Sequence, residues 1–80
     1  MRLLRQPALS LTTMMTIQLN GQPHPVPAAC SLQQLVERLG LTGRRLAIEV
    51  NGEIIPRSAH ADALLHDGDR VEIVQAIGGG

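Results

Sequence analysis

Apolar and polar residues alternate along this chain in two rhythms, one of period two and one of helical spacing, and their order predicts its elements. Thr16-Ile17-Gln18-Leu19 alternates strictly, which predicts a strand with Met15, Ile17 and Leu19 on one face. Asn20-Gly21 follows and predicts a two-residue hairpin, because both central positions of a type I′ turn need positive φ. The returning segment, Gln22 to Pro27, has proline at 23, 25 and 27. Proline cannot donate to a ladder, so this is expected to be an edge strand with its N–H side to solvent. His24 is expected to face solvent there, since no second histidine stands at metal-ligand spacing. Ser31-Leu32-Gln33-Gln34 fits a capping box, and Leu32, Leu35, Val36 and Leu39 then form one helical stripe. Gly40 stands where a left-handed cap is wanted. So short a helix persists only by packing its stripe on a sheet.

Beyond a connector containing Gly43, Leu46-Ala47-Ile48-Glu49-Val50 reads as a strand with Leu46, Ile48 and Val50 inward and Glu49 exposed. A second Asn-Gly, Asn51-Gly52, turns it back into Glu53 to Pro56, with Pro56 marking another edge. Ser58 to Leu65 suits an irregular helical turn that folds Ala63, Leu64 and Leu65 inward. His66-Asp67-Gly68-Asp69 reads as a turn; as a calcium loop it lacks ligands and the glutamate at the required distance. The last run, Arg70 to Ile77, is apolar on both faces and predicts a strand buried on both sides, in the middle of a sheet. Hairpin, helix, hairpin, turn and central strand together predict an α+β fold. It is a mixed four- or five-stranded sheet with one helix packed across it, the β-grasp arrangement of ubiquitin.

Composition narrows the function classes. Eighty residues without Phe, Tyr or Trp imply one small domain with an aliphatic core and no aromatic platform for stacking bases. Formal charge is zero, which gives no electrostatic ground for nucleic acid or an anionic membrane as partner. Residues 6–36 lack Asp, Glu, Lys and Arg, yet prolines and Asn20-Gly21 break the stretch, so it is not a membrane span. Met1 to Met14 holds Arg2 and Arg5 and no acid. It reads as a leader or disordered extension, followed by a domain over 15–77 and a flexible glycine tail over 78–80. A single cysteine excludes an internal disulfide and thiolate zinc sites, and makes a reducing, cytoplasmic location the default.

Two features bear on chemistry. Cys30 stands just before the helix cap, where a helix N-terminus can lower a thiol pKa, but no base accompanies it in sequence, so a small, half-buried structural cysteine is expected. Glu49, Glu53, Asp62, Asp67, Asp69 and Glu72 crowd the second half, mostly as a solvated face, with a basic partner as the other reading. The second feature is Gly78-Gly79-Gly80, directly after an apolar strand pattern. Glycines add nothing to a core and stay mobile when free. They offer thinness: such a backbone threads a channel that any Cβ blocks and presents the Gly80 carboxylate to a reagent held in a partner. The plain alternative is a frayed terminus.

Leu46 to Arg57 with its Val-Asn-Gly-Glu, Asp67-Gly68-Asp69-Arg70-Val71-Glu72-Ile73-Val74, and terminal Ile77-Gly78-Gly79-Gly80 resemble the bacterial sulfur carrier proteins of thiamine biosynthesis, the ThiS family. The resemblance runs from about Met15 to Gly80. It implies a carrier rather than an enzyme, with no bound cofactor or metal. Gly80 would be adenylated by a ThiF-like adenylyltransferase using MgATP. A persulfide donor such as a cysteine desulfurase would convert it to a thiocarboxylate, and thiazole synthase (ThiG-like) would receive the sulfur. Gly78 and Gly79 would supply reach and thinness. The same residues leave open the small subunit of molybdopterin synthase, a ubiquitin-like modifier, or a β-grasp binding module with an inert tail.

Overall fold

Asn20 and Gly21 adopt φ of 50° and 83°, so the first Asn-Gly is a primed turn, as its residue types require. In the computed structural model, which describes residues 13–76, this turn joins β1 (Met14–Leu19) to β2 (Gln22–Pro27) in an antiparallel hairpin. Pro23, Pro25 and Pro27 lie opposite Gln18, Thr16 and Met14. The Gln18 and Thr16 N–H groups point away from β2, to the Asp69 carbonyl and the Asp67 carboxylate. Each proline therefore occupies a position whose missing N–H faces outward, and β2 is an edge strand. His24 departs from expectation. It pairs with Ile17 and shares the core-facing side with Val26, so it is half-buried at the sheet margin.

The helix, α1 (Leu32–Arg38), begins on the expected capping box. The Gln34 N–H donates to Ser31 Oγ at 3.1 Å, and the Ser31 N–H donates to Gln34 Oε1 at 2.8 Å. It ends in a Schellman motif: Leu41 N–H donates to the Val36 carbonyl and Gly40 N–H to that of Glu37, with Gly40 at φ 73°. Leu32, Leu35 and Val36 are buried, and Leu39 packs beside them half-buried.

The second hairpin joins β3 (Leu46–Val50) to β4 (Glu53–Ile54) through Asn51-Gly52, again with positive φ at both residues. Ile48 is fully enclosed, whereas Leu46 and Val50 are half-buried and Glu49 is half-buried rather than exposed. β4 is only two residues long. Ile55 still donates to the Ile48 carbonyl, but Pro56, with no N–H to offer, leads into a short 3-10 turn at Arg57–Ala59. Leu64 is a correction. Leu32 N–H donates to the Ala63 carbonyl and Leu65 N–H to that of Cys30, so this segment is locally extended beside Ser31. Alternation then turns Leu65 into the core and Leu64 out, 55% exposed.

The last strand, β5 (Arg70–Gln75), lies in the middle of the mixed sheet, whose order is β2-β1-β5-β3-β4. It runs parallel to β1 and antiparallel to β3. Its expected burial on both faces is not found: Val71 is enclosed, yet Val74 is 63% exposed. One helix covers one face, and the residues of β5 that point to the other face meet solvent. Central position comes from pairing on both edges. The core is Ile17, Val26, Leu32, Leu35, Ile48, Leu65 and Val71, with Cys30 and Val36 at its margin. The result is the expected five-stranded form of the β-grasp fold.

Candidate functional site

The candidate site residues Gly78, Gly79 and Gly80 lie outside the described residues, as do Ile77 and residues 1–12. What the structure presents is the base from which the tail departs. Leu46 pairs with Gln75, and the Ala76 N–H donates to the Arg45 carbonyl at 2.9 Å, so the chain is held against β3 up to its last described residue. The tail thus follows the central strand, tied to both neighbouring strands, rather than a loop.

Asparagine side chains fix both sides of that strand, a role the Asn-Gly motif does not disclose. Asn20 Oδ1 accepts from the Ile73 N–H at 2.8 Å, and Asn20 Nδ2 donates to the Ile73 carbonyl at 3.3 Å. Its amide takes the place of the next peptide of β1 after the chain has turned away. Asn51 Oδ1 accepts from the Arg70 N–H, while Asn51 Nδ2 donates to Asp69 Oδ1. Asp69 Oδ2 also accepts from the His66 N–H, and Asp67 Oδ1 from that of Thr16. Both aspartates of the 66–69 turn therefore serve backbone and amide donors.

Three arginines gather near the start of β3, at the tail end of the sheet: Arg44 and Arg45, with Arg57 donating through Nη2 to the Arg44 carbonyl at 2.9 Å. Beside them a groove of about 230 Å³ is bordered by Val36, Leu46, Arg57 and His60. The His60 ring faces the Ile55 carbonyl at 3.0 Å through Nε2, which must carry the proton because a carbonyl only accepts.

Cys30 is buried, more so than expected, and its thiol donates to the Ser31 carbonyl at 3.4 Å. Burial pushes the thiol pKa up, and the opposing pull of Arg38 is weaker. A helix start therefore does not activate it. Among the described residues no three His, Cys, Asp or Glu side chains come together to hold a metal, and no helix is long and apolar enough to cross a membrane.

A model of the ThiS family matches residues 17–80, a span that includes the three glycines. The chain is 32% identical over 66 residues to the sulfur carrier protein ThiS of Escherichia coli, covering 82% of this chain and 100% of that protein. It is 39% identical over 66 residues to a thiazole synthase of Paramagnetospirillum magneticum, covering 82% of this chain and 20% of that protein. A similar match to a thiazole synthase of Magnetococcus marinus again spans only 20% of its length. Among solved structures, the crystal structure of the thiamine biosynthesis protein ThiS from Geobacter metallireducens superposes with a TM-score of 0.72 at 30% identity, covering 82% of this chain and all of that one.

Proposed function

Because this chain belongs to the ThiS family, we propose that it is a sulfur carrier for assembly of the thiazole ring of thiamine, with Gly80 as the residue that bears sulfur. The observation that carries this reading is the family match reaching through the glycines to residue 80, on a chain whose central strand, β5, is the last described element before them in sequence.

The chemistry follows from the main chain. A carboxylate is ionised at pH 7 and is a poor electrophile. Adenylation by a ThiF-like adenylyltransferase with MgATP converts the Gly80 carboxylate to an acyl-adenylate and releases pyrophosphate. A persulfide, supplied by a donor such as a cysteine desulfurase, attacks the acyl carbon and AMP leaves. A thiol then reduces the S–S bond of the resulting acyl disulfide, leaving a thiocarboxylate. Thiazole synthase takes the sulfur, and the carrier is recharged. The protein acts as a substrate in this cycle and needs no bound cofactor. Similarity to one segment of two thiazole synthases supports that enzyme as the receiving partner. ATP and reducing thiols place the cycle in the cytoplasm.

The test is intact-mass analysis after incubation with a ThiF-like adenylyltransferase, MgATP and a persulfide source. One oxygen should be replaced by sulfur, at Gly80. Appending one alanine after Gly80 should leave the folding midpoint unchanged and slow loading about a hundredfold, because the carboxylate is displaced at the reacting centre. Wild-type protein that gains no sulfur with any such enzyme would overturn the proposal.

A further inference from the structure

Two edges of this sheet are closed to further pairing, and among the described residues one short stretch at the end of β5 has no strand on one side. On β2 the three prolines remove the outward N–H donors, and β4 is only two residues long, both recognised ways of blunting an edge. β5 is central, but β1 accompanies it only part of the way: Gln18 pairs with Arg70 and Leu19 with Val71, after which β1 turns at Asn20. The direction of each β5 peptide follows from its bonds. Asn51 N–H donates to the Arg70 carbonyl and Ala76 N–H to that of Arg45, so even-numbered residues of β5 face β3. Odd-numbered residues face β1, as the Asn20 N–H bond to the Val71 carbonyl shows. Ile73 is satisfied by the Asn20 amide. Gln75 is the next residue on that side. It is exposed, and among the described residues no strand stands beside it.

We propose that this free edge of β5 at Gln75 pairs with an extended backbone segment of the adenylyltransferase, which adds a strand where β1 has turned away and so aligns the following glycines. The inference rests on the sulfur-carrier reading. The occupant is identified by position. Gly80 stands only four residues past Ala76, so an enzyme that receives Gly80 must reach the end of β5. Strand addition there recognises main chain alone, through alternate N–H and C=O groups. Exposed Val74, whose side chain points to the uncovered sheet face, gives the same segment an apolar neighbour. A second copy of the chain is a poorer occupant, because an overhang this short buries far less than the area of roughly 1,000 Å² that a stable interface needs.

Amide exchange measured by NMR tests the pairing directly. In the free protein the Gln75 amide should exchange at nearly the unprotected rate; with the adenylyltransferase bound, in the absence of ATP, it should slow about tenfold or more. Gln75→Pro deletes an N–H that makes no bond to β3. It should leave the folding midpoint unchanged and raise the KM for the carrier in adenylation about tenfold, the scale of one hydrogen bond, with kcat little altered. Gln75→Ala keeps the N–H and should behave as wild type. A Gln75 amide that stays fast in a complex proven by other shifts, or Gln75→Pro adenylated with the wild-type KM, overturns the inference while leaving sulfur carriage intact. Protection already present in the free protein also overturns it. Dependence on protein concentration would assign the edge to a second copy, and loss on deleting residues 1–12 would assign it to the chain's own N-terminus. Failure of the wild type to be adenylated at all is the separate failure of the functional reading.

Discussion

Asn20 shows how much one side chain can carry here. It holds φ at 50°, which most residues resist, and its amide makes both bonds to Ile73 across the sheet. The two roles separate experimentally. Asn20→Gly keeps the positive φ and loses the amide, so chemical denaturation should show a loss of about 1–3 kcal/mol for two bonds. Asn20→Ala loses the bonds and adds left-handed strain of about 1 kcal/mol more. Ile48, 1% exposed at the centre of β3, should cost about 2–5 kcal/mol on truncation to Ala, read from the denaturation midpoint. Cys30 gives a pH dependence with a definite sign. Its thiol pKa is raised in the fold, so the folded state holds the proton more tightly than the unfolded chain. The associated stability is complete below the unfolded thiol value of about 8.5 and is lost as pH rises through the folded value. Wild type should therefore lose stability in that alkaline window, whereas Cys30→Ala should lack this component. Native Cys30 should also resist alkylation at neutral pH.

Among the elements, α1 depends most on its ends. Seven residues are too few for a helix to stand alone, so the capping box, the Schellman turn and the buried stripe act together. Ser31→Ala removes the acceptor of the Gln34 N–H and should cost about 1 kcal/mol by thermal or chemical unfolding. β5 offers the contrasting case. Had both faces been covered, truncating Val74 would open a cavity. With its outer face open, Val74→Thr should change stability by no more than about 0.5 kcal/mol. A midpoint that falls by several times that amount would mean that another surface covers this face in solution.

At the scale of the whole molecule, the parallel pairing of β1 with β5 joins residues about fifty positions apart and places the tail's parent strand at the centre of the sheet. The Thr13 carbonyl accepts from the Ala28 N–H, and β1 begins at Met14, one residue before the sequence pattern suggests. A chain starting at Thr13 is expected to match the full chain in denaturation midpoint and in sulfur loading. One starting at Thr16 loses Met14 and Met15 opposite Pro27 and Val26 and should unfold at lower denaturant concentration. Equal midpoints for the two truncations would remove the first two residue pairs of the hairpin from the cooperative unit.

By itself, the sequence determined the features whose physics is local. The two Asn-Gly turns, the Ser31–Gln34 capping box, the Gly40 cap and the stripe of α1 depend on residues within about five positions of one another, so residue type and spacing suffice. The prolines of β2 declare an edge because the missing donor is covalent. The glycines at 78–80 declare thinness for the same reason. Tertiary structure decided what depends on which distant surfaces meet. His24 shares the inner face because it pairs with Ile17; Leu64 points out because residues 63–65 extend beside Ser31; Val74 is exposed because, among the described residues, nothing covers the sheet face opposite α1. The Asn20 amide finds Ile73 only after β5 has come to lie beside β1, a contact across fifty-three positions. Burial and partner choice at such distances follow from the assembled shape, and a local pattern holds no information about the shape that will face it.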